Sequence, residues 1–145
     1  MHLEYFKLID RIVDLNVGER TITVEAQVPV HNTIFEGHFP GHPIMPGVLI
    51  IEAMAQTAAT LVVDSLEDVG ATSHVVYFMT IENARFRKPV VPGDRMLIKV
   101  KKERQRGHVW RFRGEAYVDD VLCAEAVYTA MLIPNGVDSA SGVDE

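Results

Sequence analysis

Two side chains able to move protons stand fourteen positions apart in "FEGHFPGHPIMPGVLIIEAMAQ", Phe35 to Gln56: His38 and Glu52. His38 lies in "GHFPG", where glycines and a proline constrain the backbone on both sides, as a chain does when one side chain must be aimed. An imidazole, with an ordinary pKa of about 6.5, accepts a proton at physiological pH, so base is the natural role for His38. Glu52 is the single acid in the apolar run Val48 to Val63. Burial favours the neutral form of a carboxylic acid, which makes Glu52 a candidate proton donor. The competing reading is a buried glutamate paired with an arginine from a neighbouring strand. Gln56, one helical turn on, is placed to hydrogen-bond Glu52 and hold its orientation. Gly47 opens the same run, and the unpaired amides of a first helical turn, at the positive end of the helix dipole, suit a developing oxyanion. A base, an acid and an oxyanion site describe removal of a proton α to a carbonyl with departure of a β-leaving group.

A metal reading is weaker. His38 and His42 are four apart, a spacing that binds zinc on a helix, but Pro40, Gly41 and Pro43 exclude a continuous helical turn there. His2, His31, His74 and His108 read as hydrogen-bonded structural residues and His42 as a surface residue. No metal site is expected.

These residues need a scaffold. From Pro46 and Gly47 the chain is rich in Leu, Ala, Met and Gln with no further Gly or Pro until Gly70, which predicts a long helix, apolar nearly all round and therefore buried. Its polar exceptions, Glu52, Gln56 and Thr60, fall on one face. Arg20 to Val30 alternates at period two and reads as a strand, whereas Tyr5 to Leu15 fits a short helix running into a strand. The runs "HVVYFMTIENARF", "DRMLIKVKKERQ", "HVWRFRGEAYV" and "VLCAEAVYTAML" read as strands separated by turn chemistry in "KPVVPGD", "RG" and "VDD". One buried helix with successive antiparallel strands is an α+β fold, the sheet wrapped around the helix. The tail "PNGVDSASGVDE" is small, polar and acidic and is expected to be disordered.

With 145 residues, 48% of them hydrophobic, one domain with a substantial core is expected. The apolar run is short of a membrane span and is interrupted by Glu52 and Gln56. "MHLEYFKLIDRIVDL" has no leader pattern, and the single cysteine, Cys123, suits a reducing compartment, so a cytoplasmic location is expected. Cys123 itself reads as a small buried strand residue. The formal net charge is −6, yet 11 of the 14 Lys and Arg fall between Arg85 and Arg113, with only Asp94 and Glu103 opposing them. A pI near 5.5 argues against nucleic acid, and a basic face on an acidic body suits a small acidic partner or merely solvates the sheet.

"GHFPGHPIMPGVLIIEAMAQ" and "YFMTIENARFRKPVVPGDRM" together resemble the central motifs of the bacterial 3-hydroxyacyl-acyl-carrier-protein dehydratases of the hot-dog fold, and a looser likeness continues to about Met131. The chain departs from that family at "EYFKLIDRI". The resemblance implies a hot-dog domain over 1–133, followed by the acidic tail 134–145. It implies His38 and Glu52 as the catalytic pair, contributed by different subunits of a homodimer, and three dimers assembled as a hexamer. Gly47 is implied to bind the thioester carbonyl through its amide, and Tyr77 matches an aromatic at the tunnel mouth. Phe78, Met79 and Phe86 would line the tunnel, and Arg85, Arg87, Lys88 and Arg95 would dock the acyl carrier protein. The implied reaction, a step of fatty acid biosynthesis, converts a (3R)-hydroxyacyl thioester to the trans-2-enoyl thioester without metal or organic cofactor. The alternatives are a hot-dog thioesterase, an isomerising dehydratase, in which an aspartate would stand at Glu52, and a non-catalytic acyl-thioester-binding module.

Overall fold

The computed structural model describes residues 8–29, 44–68 and 74–134. Six strands and one helix follow in the order β1 (Arg11–Asn16), β2 (Thr21–Gln27), α1 (Gly47–Asp68), β3 (His74–Phe86), β4 (Arg95–Arg106), β5 (Val109–Val118) and β6 (Val121–Pro134). They form one antiparallel sheet ordered β1-β2-β4-β5-β6-β3.

Alternation decides which face of the sheet meets the helix. Ile22, Val24 and Ala26 of β2, Met96, Ile98 and Val100 of β4, and Trp110, Phe112 and Ala116 of β5 are all buried, and every second residue between them is more exposed. Against this face pack Ile50, Ala53, Met54, Ala58, Leu61 and Val62 of α1. Gly114 makes the close approach possible: a Cβ there would lie 3.1 Å from the Met54 sulfur. The helix and the four long strands match the expected segments to within a residue or two at each end.

Of the segment Tyr5 to Leu15, expected as a short helix running into a strand, the described part from residue 8 holds the strand and no helix. β1 is a strand through Ile12 and Val13, because its backbone pairs with β2 from Arg11↔Glu25 to Asn16↔Thr21, with a register shift between Ile12 and Asp14. Pairing with an available edge satisfies that backbone, so tertiary context overrides the weak periodicity of so short a segment. Cys123 is buried on β6, where burial pushes its thiol pKa up. β6 includes Pro134, and the rest of the expected tail, 135–145, lies outside the described residues. No described helix is long and apolar enough to cross a membrane.

Candidate active site

The start of α1 sets the site. The Pro46 carbonyl accepts from the amides of Leu49 at 3.0 Å and Ile50 at 3.4 Å, and the Met45 amide donates to Val90 at 2.7 Å, tying the helix entry to the loop after β3. Among the described residues the amides of Gly47 and Val48 have no hydrogen-bond partner, as expected for the first turn of a helix. Phe86 lies over this turn: a Cβ on Gly47 would sit 2.8 Å from its ring. Glycine at 47 therefore lets an aromatic wall stand directly beside free amide donors.

A cavity of about 810 Å³ opens here. Its walls include Gly47, Val48, Ile51, Glu52 and Ala55 of α1, Phe78, Ile81, Ala84 and Phe86 of β3, and Tyr128 of β6, with Arg87, Lys88 and Pro89 beyond β3. Two register shifts in β3, at Phe78/Thr80 and Glu82/Arg85, let both Ile81 and Phe86 join this wall. Strict alternation from Phe78 would turn Ile81 to the opposite face. The second shift contains Asn83 at φ 53°, a left-handed conformation that asparagine tolerates.

Glu52 accepts a hydrogen bond from Gln56 Nε2 at 3.2 Å, and Gln56 Oε1 accepts from the Leu8 amide at 2.8 Å. The expected Gln56 contact is therefore present, and it also holds the segment ahead of β1 against the helix. For Glu52 the expected burial needs correction, and the competing ion pair is not found among the described residues. Its side chain is exposed in the single chain, because the α1 face carrying it turns toward the cavity rather than into the core. Among the described residues it has no ion pair with any arginine or lysine. His38 lies outside the described residues, as do His2, His31 and His42.

The other expected site residues divide. Phe78 is half-buried and Phe86 is 53% exposed, and both line the cavity. Tyr77 and Met79 are 60% and 44% exposed and do not, since the strand turns them to its other face. Arg85, Arg87, Lys88 and Arg95 are all exposed, but two are engaged inside the sheet. Arg87 Nε donates to Glu125 at 2.7 Å, and Arg95 pairs with Glu25 at 3.1 Å. Arg85 and Lys88 make no ion pair among the described residues.

Sequence reasoning missed Ile81, Tyr128 and the group around Glu125, which also binds Arg113 and whose carboxyl pKa is held below the ordinary range chiefly by the Arg87 hydrogen bond. Tyr128 had a signal: a lone aromatic between Ala126 and Ala130 on one strand face marks a hollow to be filled.

The FabA-like domain model matches residues 1–127. The chain is 53% identical over 132 residues to the 3-hydroxyacyl-[acyl-carrier-protein] dehydratase FabZ of Rhodospirillum rubrum, covering 91% of this chain and 81% of that protein. It is 56% identical over 134 residues to the FabZ of Acidiphilium cryptum, covering 91% and 79%. Among solved structures, the dehydratase heterocomplex ApeI:P from Xenorhabdus doucetiae superposes with a TM-score of 0.80 at 15% identity, covering 99% of this chain and 93% of that one. A hot-dog-like protein from Thermanaerovibrio acidaminovorans superposes at 0.69 and 15%, covering 97% and 94%. At such identities the superpositions speak for the fold alone, and the fold is the hot-dog.

Proposed function

The chain belongs to the FabA-like dehydratase family, and from that premise we propose that it converts (3R)-hydroxyacyl-acyl-carrier-protein to the trans-2-enoyl thioester and water. The observation that carries this reading is Glu52, an acid without an ion pair among the described residues, on the wall of an apolar cavity whose rim carries the free amides of Gly47 and Val48. His38 takes the proton from the α-carbon, and the electrons of that C–H bond form the new double bond. The bond to the β-oxygen breaks, and Glu52 supplies the proton with which the hydroxyl leaves as water. The Gly47 amide takes the charge that develops on the thioester oxygen, in a position where a preorganised donor is worth most. The thioester already acidifies the α-proton, so the reaction needs no metal or organic cofactor. The apolar walls from Phe86 to Phe78 receive the acyl chain.

The functional unit is a homodimer with shared sites, in which the partner covers the exposed Glu52 and brings its own His38 to it, and three dimers form the hexamer. Support comes from β3, an edge strand of 13 residues with Tyr77, Met79 and Ile81 exposed, which offers both unpaired backbone and apolar surface to a second copy. Arg85 and Lys88, exposed and without an ion pair among the described residues, meet the acidic carrier protein first, with Arg87 and Arg95, each already paired with a glutamate, in support. The protein works in the cytoplasm, in fatty acid biosynthesis.

The test is to mix the purified protein with a 3-hydroxyacyl carrier-protein thioester and follow enoyl absorbance. Enoyl product is expected. No turnover, or release of free thiol without enoyl product, overturns the reading, the latter in favour of a thioesterase.

A further inference from the structure

Tyr128 is fully buried on the inner face of β6, with its ring edge-on to Phe78 at 6.0 Å and an interplanar angle of 83°. Filling the hollow between Ala126 and Ala130 requires the ring and not the hydroxyl. The hydroxyl is used instead to reach the helix: it donates to the Ile51 carbonyl at 3.3 Å. That carbonyl lies within α1, where the amide four residues on is its ordinary partner, so the tyrosine takes up the second lone pair. The helix does not need this bond to be satisfied. What the bond adds is a link between the sheet and the turn that carries the next residue, Glu52.

We propose that Tyr128 is a positioning residue for Glu52, its hydroxyl tying the second turn of α1 to β6 and so fixing where the carboxyl stands on the cavity wall. The inference rests on the dehydratase reading of Glu52. Burial, and then the charge of Glu52, push the Tyr128 pKa far above the usual tyrosine range, so the hydroxyl stays a donor at every working pH. Misplacing a reacting group by about 1 Å can cost as much as 10²-fold in rate, and a helix turn freed on one side moves by less.

The experiment uses the full chain with Tyr128→Phe, which keeps the ring. On a 3-hydroxyacyl carrier-protein thioester, kcat is expected to fall on the order of tenfold, with KM within about twofold of the unaltered protein. Thr57→Val is the matched control: its buried hydroxyl donates to the Ala53 carbonyl of the same helix at 2.8 Å, away from the cavity. That variant should lower the melting temperature and leave kcat unchanged. A second readout needs no turnover: the Glu52 carboxyl carbon resonance, assigned by its loss in Glu52→Gln, should move in Tyr128→Phe and stay in Thr57→Val. A Tyr128→Phe protein with unaltered kcat, or with only KM raised, overturns the inference. If the unaltered protein shows no turnover, the dehydratase reading falls and the resonance alone decides: its movement sustains the tie to Glu52, and its constancy ends it.

Discussion

The two edges of the sheet are built in opposite ways. β1 has six residues, carries Arg11 and Asp14, and breaks register between Ile12 and Asp14. Short length, charge and irregularity are the usual means of keeping an edge from pairing. β3 has 13 residues, pairs along its length with β6, and exposes Tyr77, Met79, Ile81 and Phe86. Both edges are clipped to the sheet by a glutamate that holds two arginines, Glu25 with Arg11 and Arg95 and Glu125 with Arg87 and Arg113. Only the β3 side also supplies walls of the cavity that faces Glu52. In the proposed dimer, the open edge beside the site is where the second copy docks.

Three measurements test that contrast. The largest effect is expected from Glu52→Gln, which keeps the shape and removes the transferable proton: kcat should fall roughly 10²–10⁴-fold. Since Glu52 is exposed and has no ion pair among the described residues, the melting temperature of the monomer fold should barely change. Activity retained within a few-fold would remove Glu52 from the chemistry.

Next is a matched pair on the two edges, Met79→Lys and Val13→Lys, residues that are each 44% exposed. Sedimentation should show Met79→Lys dissociating, with activity falling in proportion to the dimer lost. Val13→Lys should leave assembly and activity unchanged and shift stability by no more than about 0.5 kcal/mol. Equal behaviour of the two variants would erase the distinction between the edges.

The smallest effect concerns the clip at the end of β3. Glu125 has its pKa lowered from the ordinary 4.5, first by the Arg87 hydrogen bond, so its contribution is present in full above that value. The contribution is lost as pH falls through the lowered folded-state value. Denaturation midpoints of the unaltered protein and Glu125→Gln should therefore differ at neutral pH and converge in acid. A gap that persists unchanged at low pH would deny the ion pair this role.

Much of this was legible in the residues. The 22-residue helix follows from a run of good helix formers behind Pro46, and β4 and β5 from alternation that the burial pattern repeats as far as Lys102 and Ala116. The Glu52–Gln56 hydrogen bond follows from their four-residue spacing, because i and i+4 meet on any helix. Long-range pairing was not legible. Nothing local says that Arg87 and Arg113 meet at Glu125, that the Tyr128 hydroxyl reaches Ile51, or that two register shifts turn Ile81 to the cavity. Where the strand begins in Tyr5 to Leu15 was not legible either, because an edge strand of six residues is made by its neighbour rather than by its own propensity.

By itself, then, the sequence determined the elements other than β1, the single long helix, and the candidate acid with its glutamine, since each depends on contacts within a few residues. Only the tertiary structure decided that β3 and not β1 is the long open edge, that Glu52 faces a cavity instead of the core, and that Phe86 stands on Gly47. Those outcomes depend on the order and register of strands distant in the chain. That order is settled by burying the inner face of the whole sheet at once, a condition no short stretch of residues can express.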